Sequence, residues 1–462
     1  MNANGRKNQS TNLMVIFVGL LAALAGLFFG LDTGVISGAL PFISKQFDIS
    51  ATQQELVVSS MMFGAAAGAI ISGWLSSWGG RKRSLLLSSI LFIIGALGSA
   101  FSPNAEVLIG SRVILGLAIG ISSFTTPAYL SEIAPKKIRG GMISMYQLMI
   151  TIGILLAFIS DTGFSYDHAW RWMLGITAIP AVLLFIGVTF LPESPRWLAS
   201  KNRSDDAKTI LLKLRNSETE AIQELDDIFN SLKIKQSGFG LFKNNSNFRR
   251  SVFLGISLQF MQQLTGINVI MYYAPKIFSL AGFETTTQQM YGTVLVGLVN
   301  VIATFLAISI IDRFGRKKLL VFGFSVMAIS IGLLAYLLSF DAHTLLIQYA
   351  SIAFLLIFII GFAVSAGPIM WVLCSEIQPL KGRDFGITCS TTSNWVANMI
   401  VSATFLTLLS TLGDTHTFWL YAALNAVFIL VTLYFVPETK NVSLEHIEEN
   451  LMKGNSLRNI GR

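Results

Sequence analysis

Gly80-Arg81-Lys82, Ser131-Glu132-Ile133 and Pro192-Glu193-Ser194 recur, in that order, as Gly315-Arg316-Lys317, Ser375-Glu376-Ile377 and Pro437-Glu438-Thr439. Arg81 and Arg316 are 235 residues apart, Glu132 and Glu376 are 244 apart, and Glu193 and Glu438 are 245 apart. Arg139 and Arg383 form a fourth pair, again 244 apart. Long apolar runs separate these tags. A repeat of this length set between apolar runs predicts two equivalent membrane bundles. Two matched bundles that rock against each other meet the physical requirement for carrying a solute across a bilayer.

Composition points the same way. The 462 residues are 53% hydrophobic and 13% charged, with 39 glycines and a mean hydropathy of +0.64. A soluble domain carries about 25% charged residues, and a spanning helix needs ~20 mainly apolar ones. The apolar runs predict twelve spans, near 13–40, 55–77, 84–102, 107–131, 140–161, 170–191, 251–279, 290–311, 318–340, 346–375, 384–411 and 417–436. The expected architecture is an all-α integral membrane protein: residues 1–200 as one six-helix bundle, 201–247 as a cytoplasmic linker, and 248–462 as the second bundle with a short tail.

A net charge of +8 does not indicate a nucleic-acid partner, because of where the charge falls. Loops 78–83, 132–139, 192–250, 312–317 and 376–383 are rich in Lys and Arg, whereas 103–106, 162–169, 341–345 and 412–416 contain none. This is the positive-inside pattern, and with an even number of spans it places both termini in the cytoplasm. The polar stretch Met1–Asn12 precedes an apolar run too long for a signal core, so an uncleaved first helix is expected. Cys374 and Cys389 lie in apolar segments and read as buried thiols, with no disulfide framework. Between Lys201 and Lys243 the chain is charged, yet Ile210, Leu211, Leu214 and then Leu225, Ile228, Leu232 keep helical spacing. Short amphipathic helices under the membrane are expected there, with a solvated linker as the alternative.

Ionisable side chains inside a span are costly and mark pathways or proton relays. Asp32 in the first span and Arg112 in the fourth are the clearest. Asp32 lies about eight residues before the outer end of its helix and Arg112 about six after the outer start of its own, so at 1.5 Å per residue their depths match. Burial favours a neutral carboxyl and an adjacent guanidinium favours a carboxylate. The pair is therefore a candidate proton switch, with a static ion pair as the alternative.

A second set is neutral: Gln147, Gln259, Gln262, Gln263, Asn268, Asn300, Asn394 and Asn398. Gln259, Gln262 and Gln263 share one helix face, and Asn394 and Asn398 another. Amides donate and accept, which suits a polyhydroxylated neutral ligand; Phe362, Trp371 and Trp395 supply apolar ring faces. Interhelical hydrogen bonding is the competing explanation. Gly266 and Gly367-Pro368 interrupt the seventh and tenth spans, as cavity-lining helices do. At the inner ends, Arg81, Glu132, Arg139, Glu193, Arg316, Glu376, Arg383 and Glu438 are placed to latch the inner face.

With Asp312-Arg313-Phe314-Gly315-Arg316-Lys317, Pro192-Glu193-Ser194-Pro195-Arg196, Gln262-Gln263-Leu264-Thr265-Gly266-Ile267-Asn268 and Pro437-Glu438-Thr439-Lys440 in order, the chain resembles the sugar porters of the major facilitator superfamily over nearly its whole length. The resemblance implies that Gln147, Gln262, Gln263, Asn268, Asn300, Trp371 and Asn394 contact the sugar. It implies Phe362 as a stacking wall, Tyr272 and Tyr273 as part of an outer gate, and Asp32 with Arg112 as the proton site. Passive animal facilitators carry an amide where Asp32 stands, which favours symport. One position departs from the pattern: Ser77 stands where an aspartate is usual, while Asp312 keeps the carboxylate in the second half. The expectation is a monomeric transporter of the bacterial inner membrane that imports a hexose, galactose or glucose, with a proton by alternating access. A passive facilitator and a non-transporting sugar sensor are the alternatives. Neither cofactor nor metal is expected, nor an enzymatic step, since His168, His343, His416 and His446 fall at loops or span ends.

Overall fold

A computed structural model describes residues 13–135, 139–215, 217–233, 238–340 and 344–461. In chain order its helices are α1 (Leu13–Phe47), α2 (Ala51–Gly79), α3 (Arg81–Ala100), α4 (Ala105–Ile133), α5 (Arg139–Ser165), α6 (Trp170–Gly175) and α7 (Ala178–Phe190), which make a first half. Four short helices follow: α8 (Pro195–Ser200), α9 (Ser204–Leu214), α10 (Glu218–Leu232) and α11 (Gly238–Asn244). The second half contains α12 (Ser246–Leu264), α13 (Ile267–Leu280), α14 (Thr286–Phe314), α15 (Arg316–Leu337), α16 (Leu345–Ala363), α17 (Ala366–Glu376), α18 (Arg383–Leu412) and α19 (Asp414–Phe435), and α20 (Leu444–Met452) comes after it. Among the described residues, 11 helical stretches are long and apolar enough to cross a membrane, with α6–α7 and α16–α17 each counting as one. The twelfth is α12–α13, whose glutamines and arginines lower its hydropathy and which Gly266 divides. This is the twelve-helix arrangement expected from the sequence.

The breaks have local causes. Gly266 has φ 92°, a left-handed conformation open to glycine at little cost, and a Cβ there would lie 2.9 Å from the Tyr421 ring. The tenth span breaks at Ser365 (φ −131°, ψ −92°), slightly before the Gly367-Pro368 pair that the sequence singled out. Pro368 then falls in the first turn of α17, where its missing N–H leaves no hydrogen bond unmade. The first span, expected to end near residue 40, continues through Pro41 to Phe47. It stops at Asp48, whose φ of 48° is left-handed.

Small residues let α1 and α5 approach closely, which sets the position of Asp32. A Cβ on Gly30 would lie 2.0 Å from the Ile150 carbonyl oxygen, so only a bare glycine permits this seam. Call the ends bearing the Lys/Arg-rich loops the basic end. The two halves meet mainly through α2 with α18, α5 with α14 and α1 with α13. Among the described residues, the hydrogen bonds that cross between them lie at the opposite, far end: both carboxylate oxygens of Glu55 accept from Thr407, one from its N–H and one from its hydroxyl, each at 2.7 Å, and the Tyr166 and Tyr291 hydroxyls lie 3.2 Å apart.

Candidate functional site

The break at Gly266 leaves the end of α12 facing α17 and α18, and the amides meet there. Asn394 of α18 donates to the Oε1 atoms of Gln259 (2.6 Å) and Gln262 (2.8 Å). Gln262 in turn donates to the Ala366 and Gly367 carbonyls at the start of α17, at 2.9 and 2.8 Å. Asn268 donates to Gln263 across the break itself. Asn394, Gln259 and Gln262 thus tie α12, α17 and α18 into one network, and the separate Gln263–Asn268 pair beside it joins α12 to α13. Next to it Asn398 donates to the Tyr272 hydroxyl (3.0 Å), and the Tyr273 hydroxyl donates to the Ser402 carbonyl (2.8 Å). Both tyrosines are buried and fasten α13 to α18.

Some polar atoms around this network remain unused. Asn398 Oδ1, Trp395 Nε1 and Thr392 Oγ1 are buried without partners, a state that native proteins relieve with water or a ligand. The Trp395 ring reaches the first half, with its centroid 5.5 Å from that of Phe29. Gln147 on α5 is half-buried and Asn300 on α14 is buried; among the described residues neither is hydrogen-bonded to the network. Phe362 is half-buried beside Gly367, where an added Cβ would lie 3.2 Å from its ring. Trp371 is 38% exposed, so it stands at the edge of the cluster and is not enclosed by it.

Asp32 and Arg112 are brought together, although α1 runs past the expected end on which their matched depths were reckoned. Arg112 Nη1 lies 3.7 Å from Asp32 Oδ1, with both side chains buried. That distance is beyond a hydrogen bond. The Arg112 Nε, Nη1 and Nη2 atoms and Asp32 Oδ2 are all without hydrogen-bond partners. A guanidinium offers five donors and a buried one normally fills them, so this pair attracts electrostatically while leaving its proton-bearing positions open.

The sequence reading passed over two further buried carboxyls, Glu55 on α2 and Asp161 on α5. Each falls on the edge of an expected span, at 55–77 and 140–161, where a charge reads as part of a loop. The helices continue to Ala51 and Ser165, which carries both residues inside. For α2 a signal was present, the Ser50–Gln53 capping box ahead of the apolar run; for α5 the extension Thr162-Gly163-Phe164-Ser165 carries no helical signal.

At the basic end the sequence repeat becomes a structural one. Glu193 accepts from the backbone N–H of Arg81 (2.9 Å) and of Lys82 (3.2 Å), and so caps α3. Glu438 accepts from Arg316 N (2.9 Å) and Lys317 N (3.1 Å), and so caps α15. Arg81 forms a two-pronged pair with Glu132, at 2.8 Å for each contact, and Arg316 meets Glu376 at 3.1 Å. Ser194 and Thr439 add matching hydroxyl bonds of 2.6 Å to Glu132 and Glu376. Each of these contacts stays within one half. Arg383 donates to the Gln378 carbonyl at 3.4 Å; the side chains of Arg139 and Asp312 lie outside the described residues, as do Met1–Asn12 and His343. Ser77 is exposed, and its backbone carbonyl accepts from Trp197 Nε1 at 2.9 Å.

Residues 18–451 match the family described as "Sugar (and other) transporter". The chain belongs to that family. Over 456 residues it is 66% identical to the galactose-proton symporter of Escherichia coli strain K12, covering 99% of this chain and 98% of that protein. It is 57% identical over 459 residues to the arabinose-proton symporter of the same strain, covering 99% and 97%. Its fold matches the xylose transporter XylE of E. coli in an inward open conformation, with TM-score 0.81 at 30% identity, covering 95% of this chain and 99% of that one. XylE bound to 6-bromo-6-deoxy-D-glucose, described as a major facilitator superfamily proton:xylose symporter, matches with TM-score 0.78 at 29% identity, covering 98% and 99%. The chain is accordingly a sugar porter of the major facilitator superfamily, with the two-bundle, twelve-helix fold of that group.

Proposed function

We infer that this protein is a proton-coupled symporter that imports a hexose by alternating access, with galactose as the preferred sugar. The observation that carries the coupling is the buried pair of Asp32 and Arg112, in which the guanidinium and Asp32 Oδ2 have no hydrogen-bond partner. When Asp32 is protonated Arg112 is released, and when the proton leaves the two attract again. One elementary charge moving through the membrane potential is worth about 2.3 kcal/mol per 100 mV, which supports roughly fiftyfold accumulation. The sugar is held by the amides of α12, α13, α17 and α18, with Gln147 and Asn300 closing on it from α5 and α14. Phe362, Trp371 and Trp395 cover its C–H faces. Each residue acts by binding or by moving a proton, and no covalent step on the sugar is assigned.

The basic end faces the cytoplasm, with both termini there, and the protein works as a monomer in a bacterial inner membrane. The contacts of α2 with α18 and α5 with α14 close the far end, so the described state is open inward. Residues 1–200 and 248–462 rock about the linker 201–247. Tyr272 and Tyr273 on α13 then gate the far side. The braced charges at the basic end, with Arg139 and Arg383, form the inner latch when that face closes. Uptake of labelled galactose and glucose into proteoliposomes, with and without an imposed pH gradient, tests the reading. Accumulation of galactose above equilibrium is expected under the gradient and is abolished by a protonophore. Equal uptake in all conditions would instead identify a passive facilitator.

A further inference from the structure

We propose that Asp161 is a second proton-exchanging carboxyl, standing between the external water and Asp32. The proposal rests on the symport reading above. Asp161 is 1% exposed within α5; its carboxyl faces the Gly38 backbone amide, yet neither oxygen makes a hydrogen bond of regular geometry. The carboxyl occupies the space left by Gly38 of α1, where an added Cβ would fall 2.3 Å from Oδ2 and 2.5 Å from the Asp161 Cβ. Gly38 is six residues beyond Asp32 on the same helix, about 9 Å nearer the far end. Adjacent Ser37 is also buried with an unpartnered Oγ. Asp32 Oδ2, Ser37 Oγ and both Asp161 oxygens thus leave this stretch of α1 lined with buried, unsatisfied acceptors. Such groups hold ordered water, and water is what carries a proton between carboxyls too far apart to touch.

A purely structural buried carboxyl is paired or fully hydrogen-bonded; this one has no ion pair among the described residues and meets at most the Gly38 backbone amide. The charged and titratable groups around α5 are engaged elsewhere. Asp32 of α1 faces Arg112 of α4, and Arg171 of α6 donates to the Ala100 and Ser102 carbonyls. His168 lies on the Phe42 ring, and Tyr166 meets Tyr291 of α14. Lys45 is further along α1 near its end. Among the described residues none forms an ion pair with Asp161. In the forward step an external proton reaches Asp161 through water. The Asp161 O–H gives its proton to an intervening water as that water gives one to the Asp32 carboxylate, and Asp161 is recharged from outside. Only O–H bonds are made and broken.

The test uses the full chain in proteoliposomes with Asp161→Asn. Equilibrium exchange of saturating galactose needs no net proton movement and reports that the protein is folded. It is expected to stay within about twofold of the parent, while pH-gradient-driven uptake falls about tenfold and its alkaline limb moves about one pH unit towards acid, one unit being a tenfold change in proton activity. Asp161→Glu, which keeps a titrating group, is expected to return the limb towards the parent. An unchanged driven rate and pH profile in Asp161→Asn overturns the proposal. So does a parallel loss of exchange and driven uptake in both variants, which marks a structural carboxyl. If the parent itself accumulates no sugar under a pH gradient, the symport reading falls first, and this proposal falls with it.

Discussion

Replacing Asp32 with asparagine separates the two roles of the ion pair. The substitution keeps side-chain volume and removes both the charge and the exchangeable proton. Arg112 is then left fully buried without a counter-charge. At ~4 Å and an effective dielectric constant near 20, the lost attraction is about 4 kcal/mol, and removing one partner of a buried pair typically costs about 3–5 kcal/mol. Arg112 has no hydrogen bonds to soften that loss. Asp32→Asn is therefore expected to unfold at clearly lower temperature in detergent and to lose uphill accumulation, while galactose exchange persists at reduced yield. Adding Arg112→Leu removes the stranded charge, so the double variant should regain thermal stability but not accumulation. The two substitutions are thus strongly non-additive, as groups in contact are. Accumulation above equilibrium by Asp32→Asn would refute the coupling role. A double variant less stable than Asp32→Asn alone would refute the energetic argument, because it would mean that Arg112 is satisfied by groups other than Asp32.

Asn394→Ala removes the donor shared by Gln259 and Gln262 and leaves two buried acceptors open; galactose KM is expected to rise about tenfold or more, since each stranded group costs ~1–3 kcal/mol, as measured by initial-rate uptake. Gly266→Ala forces a Cβ into a left-handed residue and against Tyr421; a loss of at least about 1 kcal/mol is expected, read as a lower unfolding temperature with impaired transport. Glu55→Gln weakens charge-assisted bonds worth ~1.5–3 kcal/mol at the far-end contact with Thr407, so the equilibrium should move about tenfold or more towards the outward-open state. Increased reactivity of a cysteine introduced at the external mouth would register that shift.

The sequence was most informative where one property dominates locally. Apolar runs and alternating loop charge located the spans, and the repeated tags paired the halves. Gly266 was legible as a break because few other residues accept its φ. The break at Ser365 was not, because serine carries no such restriction and Gly367-Pro368 drew attention instead. The interruption between α6 and α7 at Ile176–Thr177 was hidden inside an apolar run. For the site, spacing put Gln259, Gln262 and Gln263 on one face and Asn394 and Asn398 on another. That Asn394 joins Gln259 to Gln262 depends on how α12 and α18 dock, and no local pattern records that. The basic-end charges were legible as repeats but not as partners. Several arginines and carboxylates lie at one depth, and only the folded backbone decides that Glu132 takes Arg81 while Glu193 takes the start of α3. Asp161 and Glu55 were missed because apolar runs understate helix length whenever a polar residue sits near the end.

The closed wiring of the basic-end charges also bears on how the protein is made. Arg81, Glu132, Glu193 and Ser194 are joined to one another within the first half, and Arg316, Glu376, Glu438 and Thr439 are joined within the second. During synthesis the first set is complete once Ser194 has emerged, before any of α12 to α19 exists. The amino-terminal bundle can thus settle into the membrane with its costly charges already neutralised, without waiting for a partner still on the ribosome. Domain-wise folding of this kind limits the time that unpaired charge and open helix ends face lipid or quality-control proteases.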